Sequence, residues 1–154
     1  MVNIVLQVTL PDGGPLYTET DLSQLIAEPW NAITAFLFLG IVVFWVHRLW
    51  GHFKEHIFLS SVLPVLAIGG IGGTLYHAFR VSSLFLFMDW LPIALITLGG
   101  SIYFIIRITG KWYSFLFLIL TAVGLEFLNF SLVPPRFAVN VSYSIMGLLV
   151  LSPA

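Results

Sequence analysis

Five apolar runs, most of them about 20 residues long and joined by short polar links, constrain this chain more than any other feature. At 1.5 Å rise per residue, a helix of that length crosses the ~30 Å hydrocarbon core of a bilayer. A helix also closes its backbone hydrogen bonds within the segment, which lipid requires. The runs fall at about residues 29–50, 57–79, 84–106 and 112–130. A fifth begins near Ala138, reaches Ala154 and is short for a span. Charged residues make up 8% of the chain, against about 25% in an average soluble domain. The sequence therefore predicts an all-α, multi-span membrane protein, with a polar N-terminal segment over 1–26 and a transmembrane helical domain over 27–154. A net charge of −1 gives no basis for binding nucleic acid, and the absence of cysteine excludes disulfides and thiolate chemistry. No Lys or Arg precedes the first apolar residues, and Pro11 soon breaks them, so the N-terminus does not read as a cleavable signal.

Orientation follows from the basic residues of the short links. Arg48, Lys54, Arg107 and Lys111 fall on one side, Arg80 and Arg136 on the other. The first side is expected to be cytoplasmic, which puts the N-terminus on the periplasmic or luminal side. Alternating spans then bring Glu28 and Asn31 of the first, His77 of the second, Asp89 of the third, and Glu126 with Asn129 of the fourth to the same outer level. Ionisable groups in lipid are costly and turn inward, so the order of residues predicts a polar pocket near the outer face. Headgroup-level anchoring of the same carboxylates is the plain alternative.

The stretch GGIGGTLYHAFRVSSLFLFMDWLP, residues 69–92, is the centre of this arrangement. Its glycines imply close helix contact. The short link after His77 makes the second and third spans antiparallel neighbours, with His77 and Asp89 at similar depth. A neutral imidazole beside carboxylates suits zinc. His52 and His56 also have the spacing of a metal pair, but they lie in the opposite link with His47 nearby, and read as a solvated loop.

Three stretches resemble the alkaline ceramidase family of intramembrane zinc hydrolases, within the wider group that includes the adiponectin receptors. Ala27-Glu28-Pro29-Trp30-Asn31 resembles the family's A-E-x-x-N opening of the first span. Gly72-Gly73-Thr74-Leu75-Tyr76-His77 resembles its glycine–serine–x–x–x–His close of the second, and Asp89-Trp90-Leu91-Pro92 its D-x-L-P opening of the third. Tyr17-Thr18-Glu19 sits where relatives carry an aromatic–Cys–Glu trio. The resemblance implies that His77 is a zinc ligand and that Asp89 is the carboxylate beside the metal and its water. It further implies that Glu28, Glu19, Asp21 and the Tyr17 carbonyl hold calcium. Such oxygen donors are the kind calcium takes, and calcium there would staple the N-terminal segment over the pocket.

Two departures from the family pattern matter. Gly73 stands at the family serine, with Thr74 one residue later; that shift is about 100° around a helix, so Thr74 is only a candidate for the missing hydroxyl. The resemblance covers five of seven family spans, and the family's remaining H-x-x-x-H zinc pair lies in the last, so the sequence is expected to be truncated. The expected function is a zinc-dependent amidohydrolase acting on ceramide-like or other acyl-amide lipids that enter from the bilayer. The alternatives are a non-catalytic, receptor-like or structural membrane protein with a buried polar network, and a small ion or proton carrier using Glu28, Asp89 and Glu126.

Overall fold

The computed structural model describes Leu10 and residues 12–151. Residues 1–9, Pro11 and the last three positions of the fifth apolar stretch lie outside the described residues. Among the described residues all regular structure is helical: α1 Pro29–Arg48, α2 Ile57–Phe79, α3 Ser83–Thr109, α4 Ser114–Leu132 and α5 Pro135–Leu151. The first four are long and apolar enough to cross a membrane. The fold is that of a multi-pass helical membrane protein. Helix ends follow local chemistry. Pro29 and Pro135 begin α1 and α5, where a missing N–H costs little. Val133, which precedes Pro134, is extended as that position demands. The fifth helix thus starts at Pro135 rather than near Ala138.

Two compact units divide the chain, Met1–Ile93 and Ala94–Ala154, with α3 running from one into the other. In the first unit the packing inverts that of a soluble protein. Ala32 and Ala35 are the buried residues of α1, and the glycines at 69, 70, 72 and 73 are buried in α2. Large side chains such as Phe36, Leu37, Val43 and Phe44 are exposed. Small residues let helix backbones approach where lipid, unlike water, provides no hydrophobic drive between them.

Each glycine of α2 has its own neighbour. A Cβ on Gly70 would meet Leu39 of α1 at 2.8 Å, and one on Gly69 would meet Pro92 of α3 at 3.1 Å. At Gly72 a Cβ would lie 2.2 Å from the Cβ of Met88 and 2.8 Å from its carbonyl carbon. Backbone cannot swing aside as a side chain can, so Gly72→Ala is expected to separate α2 from α3 and cost about 1–3 kcal/mol. Gly40→Ala, with open space around it, is the control. Thermal unfolding in detergent should show a lower midpoint for the first and no loss for the second; equal midpoints would remove the close contact.

Candidate functional site

The site forms where the start of α1, the end of α2 and the first turns of α3 meet the segment before α1. Helix ends leave backbone groups without partners, and here that segment supplies them. Glu28 N–H donates to the His77 carbonyl at 3.0 Å and Ala27 N–H to the Ala78 carbonyl at 2.9 Å, which satisfies the end of α2. Glu19 reaches back to α1, its two carboxylate oxygens accepting from Trp30 N–H at 2.9 Å and Asn31 N–H at 2.8 Å. A carboxylate there also meets the positive end of the helix dipole. Residues 12–28 are in this way tied to both helices as a strap.

Glu28 is fully buried and has each oxygen engaged. Oε2 lies 2.6 Å from His77 Nδ1. Oε1 accepts from Thr20 Oγ1 at 2.6 Å and from Arg80 Nη1. With Nδ1 held by a carboxylate, the other ring nitrogen of His77 is left to act as a ligand or acceptor. That nitrogen, Nε2, stands 3.6 Å from Asp89 Oδ2. The facing His77–Asp89 pair expected from their depths along the spans is therefore present.

Arg80 closes the cluster. It ends α2 in the left-handed region, at φ 53° and ψ 36°, a conformation that costs a non-glycine residue about 1 kcal/mol or more. Its Nε and Nη2 donate to the two oxygens of Asp12 at 2.6 and 3.1 Å, and Nη1 also donates to the Pro15 carbonyl at 3.0 Å. The Arg80, Asp12 and Glu28 side chains expose no surface. Below the guanidinium lies the Tyr76 ring, 4.5 Å from Cζ to centroid. Tyr17 of the strap and Tyr76 set their ring edges against His77 at 5.6 and 4.8 Å.

Burial pushes the Asp12 carboxyl up, but the Arg80 guanidinium and the Gly14 N–H outweigh it and hold the group below its ordinary value of 3.8. A carboxylate depressed by folding stabilises above its unfolded pKa and ceases to do so as pH falls through the folded value. The tie between strap and α2 should accordingly be intact at pH 5–7, about one unit and more above the ordinary carboxylate range, and should weaken below it. Hydrogen exchange over residues 12–28, corrected for the intrinsic pH dependence, should speed up below about pH 4. Unchanged protection down to pH 2, well below that range, would sink this account of the tie.

Zinc and calcium fit these residues differently. Two donors on one tetrahedral zinc at about 2.0–2.1 Å stand roughly 3.3 Å apart. The 3.6 Å between His77 Nε2 and Asp89 Oδ2 is close to that, and longer than a good N–H···O hydrogen bond. His77 Nε2 fits a zinc ligand, and Asp89 keeps the place beside the metal and its water. A group of three or more metal-binding side chains is not found among the described residues.

The residues expected to bind calcium do not fit one ion. Glu19 holds the amides of α1. Asp21 accepts from Ser23 N–H and Oγ at 3.0 and 2.6 Å and from Gln24 Nε2 at 2.9 Å. Glu28 already faces a guanidinium, and the Tyr17 carbonyl accepts from Thr20 N–H at 3.1 Å.

The remaining expected residues fall as follows. Thr74 Oγ1 donates to the Gly70 carbonyl at 2.6 Å, within its own helix. At Gly73 a Cβ would lie 2.4 Å from Asp89 Oδ1 and 3.1 Å from the Ala35 Cβ, so the place of the family serine is filled by the approach of Asp89. Glu126 and Asn129 belong to a network in the second unit. Ser142 of α5 donates to Glu126 Oε2 at 2.7 Å, and Asn129 Nδ2 donates to the Ala138 carbonyl at 2.9 Å. His52 lies in the turn before α2 and His56 at its N-cap, both exposed.

Sequence reasoning missed Asp12, Thr20 and Arg80 as parts of the site. One signal was available: a basic residue three positions after His77, in a link that the expected alternation of spans groups with the acids. No family model, curated protein or solved structure matches this chain.

Proposed function

We propose that the chain carries the core of a membrane-embedded, zinc-dependent amidohydrolase of the alkaline ceramidase type, acting on ceramide-like or other acyl-amide lipids that enter from the bilayer. The observation that carries this reading is the Glu28–His77–Asp89 line: a carboxylate on Nδ1, and a second carboxylate 3.6 Å from Nε2. Zinc, when bound, would polarise the amide carbonyl and lower the pKa of water toward about 7. The chain's own residues set the rest. Glu28 fixes the ring and tautomer of His77. Asp89 would orient the attacking water and take its proton, a role that calls for hydrogen-bond reach and a matched pKa. The strap sets the ring edge of Tyr17 against His77 and would shield that face of the imidazole.

Orientation belongs to the same proposal, with the N-terminus on the periplasmic or luminal side, where the basic residues are fewer. A reporter that works only in the cytoplasm, fused at residue 1, should stay silent; strong signal there would reverse the topology.

Metal analysis of the purified chain, together with release of a fluorescent fatty acid from an N-acyl sphingoid base, tests the hydrolase. Because His77 is one donor of the several a zinc takes, both assays are to be run with and without a C-terminal segment carrying H-x-x-x-H. Zinc bound in either form, lost in His77→Ala, supports the reading. No zinc and no hydrolysis in both forms would favour the second reading, a non-catalytic membrane protein. The internal saturation of Glu28 and Arg80 already fits that reading, since their polar groups are engaged by the protein itself.

A further inference from the structure

We propose that Arg80 is the resident cation of the strap, a guanidinium that takes from Glu28 the contact the ceramidase resemblance gives to calcium, so that this chain closes its N-terminal segment without a divalent ion. Asp12 and Glu28 come from opposite ends of the strap, and both turn to Arg80 with their side chains fully buried. Four donor contacts leave the guanidinium: two to Asp12, one to Glu28 and one to the Pro15 carbonyl. The planar fork matches a carboxylate from two directions, which a lysine could not do. A dication on Glu28 Oε1 would sit beside this buried positive charge, where Coulomb repulsion is least screened.

The backbone supplies an independent observation. The left-handed position that ends a helix is one glycine takes by default, and here it holds an arginine. Strain of that kind persists where the surroundings fix it; the Arg80 N–H is held by the Tyr76 carbonyl of α2 and the guanidinium lies over the Tyr76 ring, while every side-chain hydrogen bond of the residue goes to the strap. The other expected calcium ligands are committed to different tasks, Glu19 to the start of α1 and Asp21 to its own turn. The inference depends on neither zinc nor hydrolysis.

Hydrogen exchange over residues 12–28 of the full chain in detergent is the test, in excess Ca²⁺ and in excess EGTA. The wild type should exchange at the same rate in both. Arg80→Gly removes the side chain and relieves the backbone. If the arginine only ended a helix, this variant would be at least as stable and its strap unchanged. As the staple, its loss should speed exchange of the strap roughly tenfold or more, since it leaves two buried carboxylates without their cation. Asp12→Asn keeps the Arg80–Glu28 contact and should also speed exchange, and it carries the test if Arg80→Gly does not fold. Faster wild-type exchange in EGTA, reversed by Ca²⁺, would overturn the proposal, as would an unchanged strap in Arg80→Gly or in Asp12→Asn.

Discussion

Glu28→Gln is expected to be the most destabilising conservative change in the first unit, by about 3 kcal/mol or more. The substitution keeps shape and volume but removes the charge that faces Arg80 on one oxygen and His77 on the other. Both partners are largely or wholly buried, so neither recovers hydration when its carboxylate is lost. Breaking a buried pair from one side costs more than the pair is worth, because the remaining charge has no partner. Asp12 still holds Arg80 from the other direction, and this keeps the effect at the lower end of the range. The expected readout is a fall in thermal midpoint in detergent, with faster exchange of the Ala27 and Glu28 amides that donate to the end of α2. A midpoint equal to wild type would show that Glu28 is not the centre of the cluster.

His77→Ala is expected to abolish zinc binding and, with it, hydrolysis, while leaving the helices in place. An outer partner of a metal-bound histidine is worth about 10–100-fold in metal affinity. Glu28→Gln, acting through His77 Nδ1, should fall in that range, and removal of the ligand itself should exceed it. The two variants separate metal binding from architecture. His77 contributes its backbone carbonyl to the strap, and alanine retains that carbonyl. A His77→Ala protein with full zinc occupancy would remove the proposed centre. Loss of zinc with an intact strap would place the histidine in the metal site and the Arg80 contacts in the architecture.

The sequence by itself determined the helical membrane fold. Apolar runs of spanning length admit only one closed hydrogen-bond pattern in lipid, so α2 was legible to the residue and the other helices to within a few residues at either end. It also determined that His77 and Asp89 would meet, because a link of three residues between α2 and α3 leaves those helices no arrangement but antiparallel neighbours. What only the tertiary structure decided was how the carboxylates are shared. Sequence proximity suggested Glu19, Asp21 and Glu28 around one ion. In three dimensions Glu19 is claimed by the amides of α1 and Asp21 by its own turn, leaving Glu28 to Arg80, His77 and Thr20. The partner of Asp12 is 68 positions away, and no local pattern encodes a contact at that separation. Within the second unit, the tie of Glu126 to Ser142 of α5, 16 positions away, is likewise one that no local pattern encodes. Span order and helix depth are set by local hydrophobicity and chain connectivity. The choice among several nearby donors for one buried carboxylate is made by packing and desolvation, and these exist only once the helices have come together.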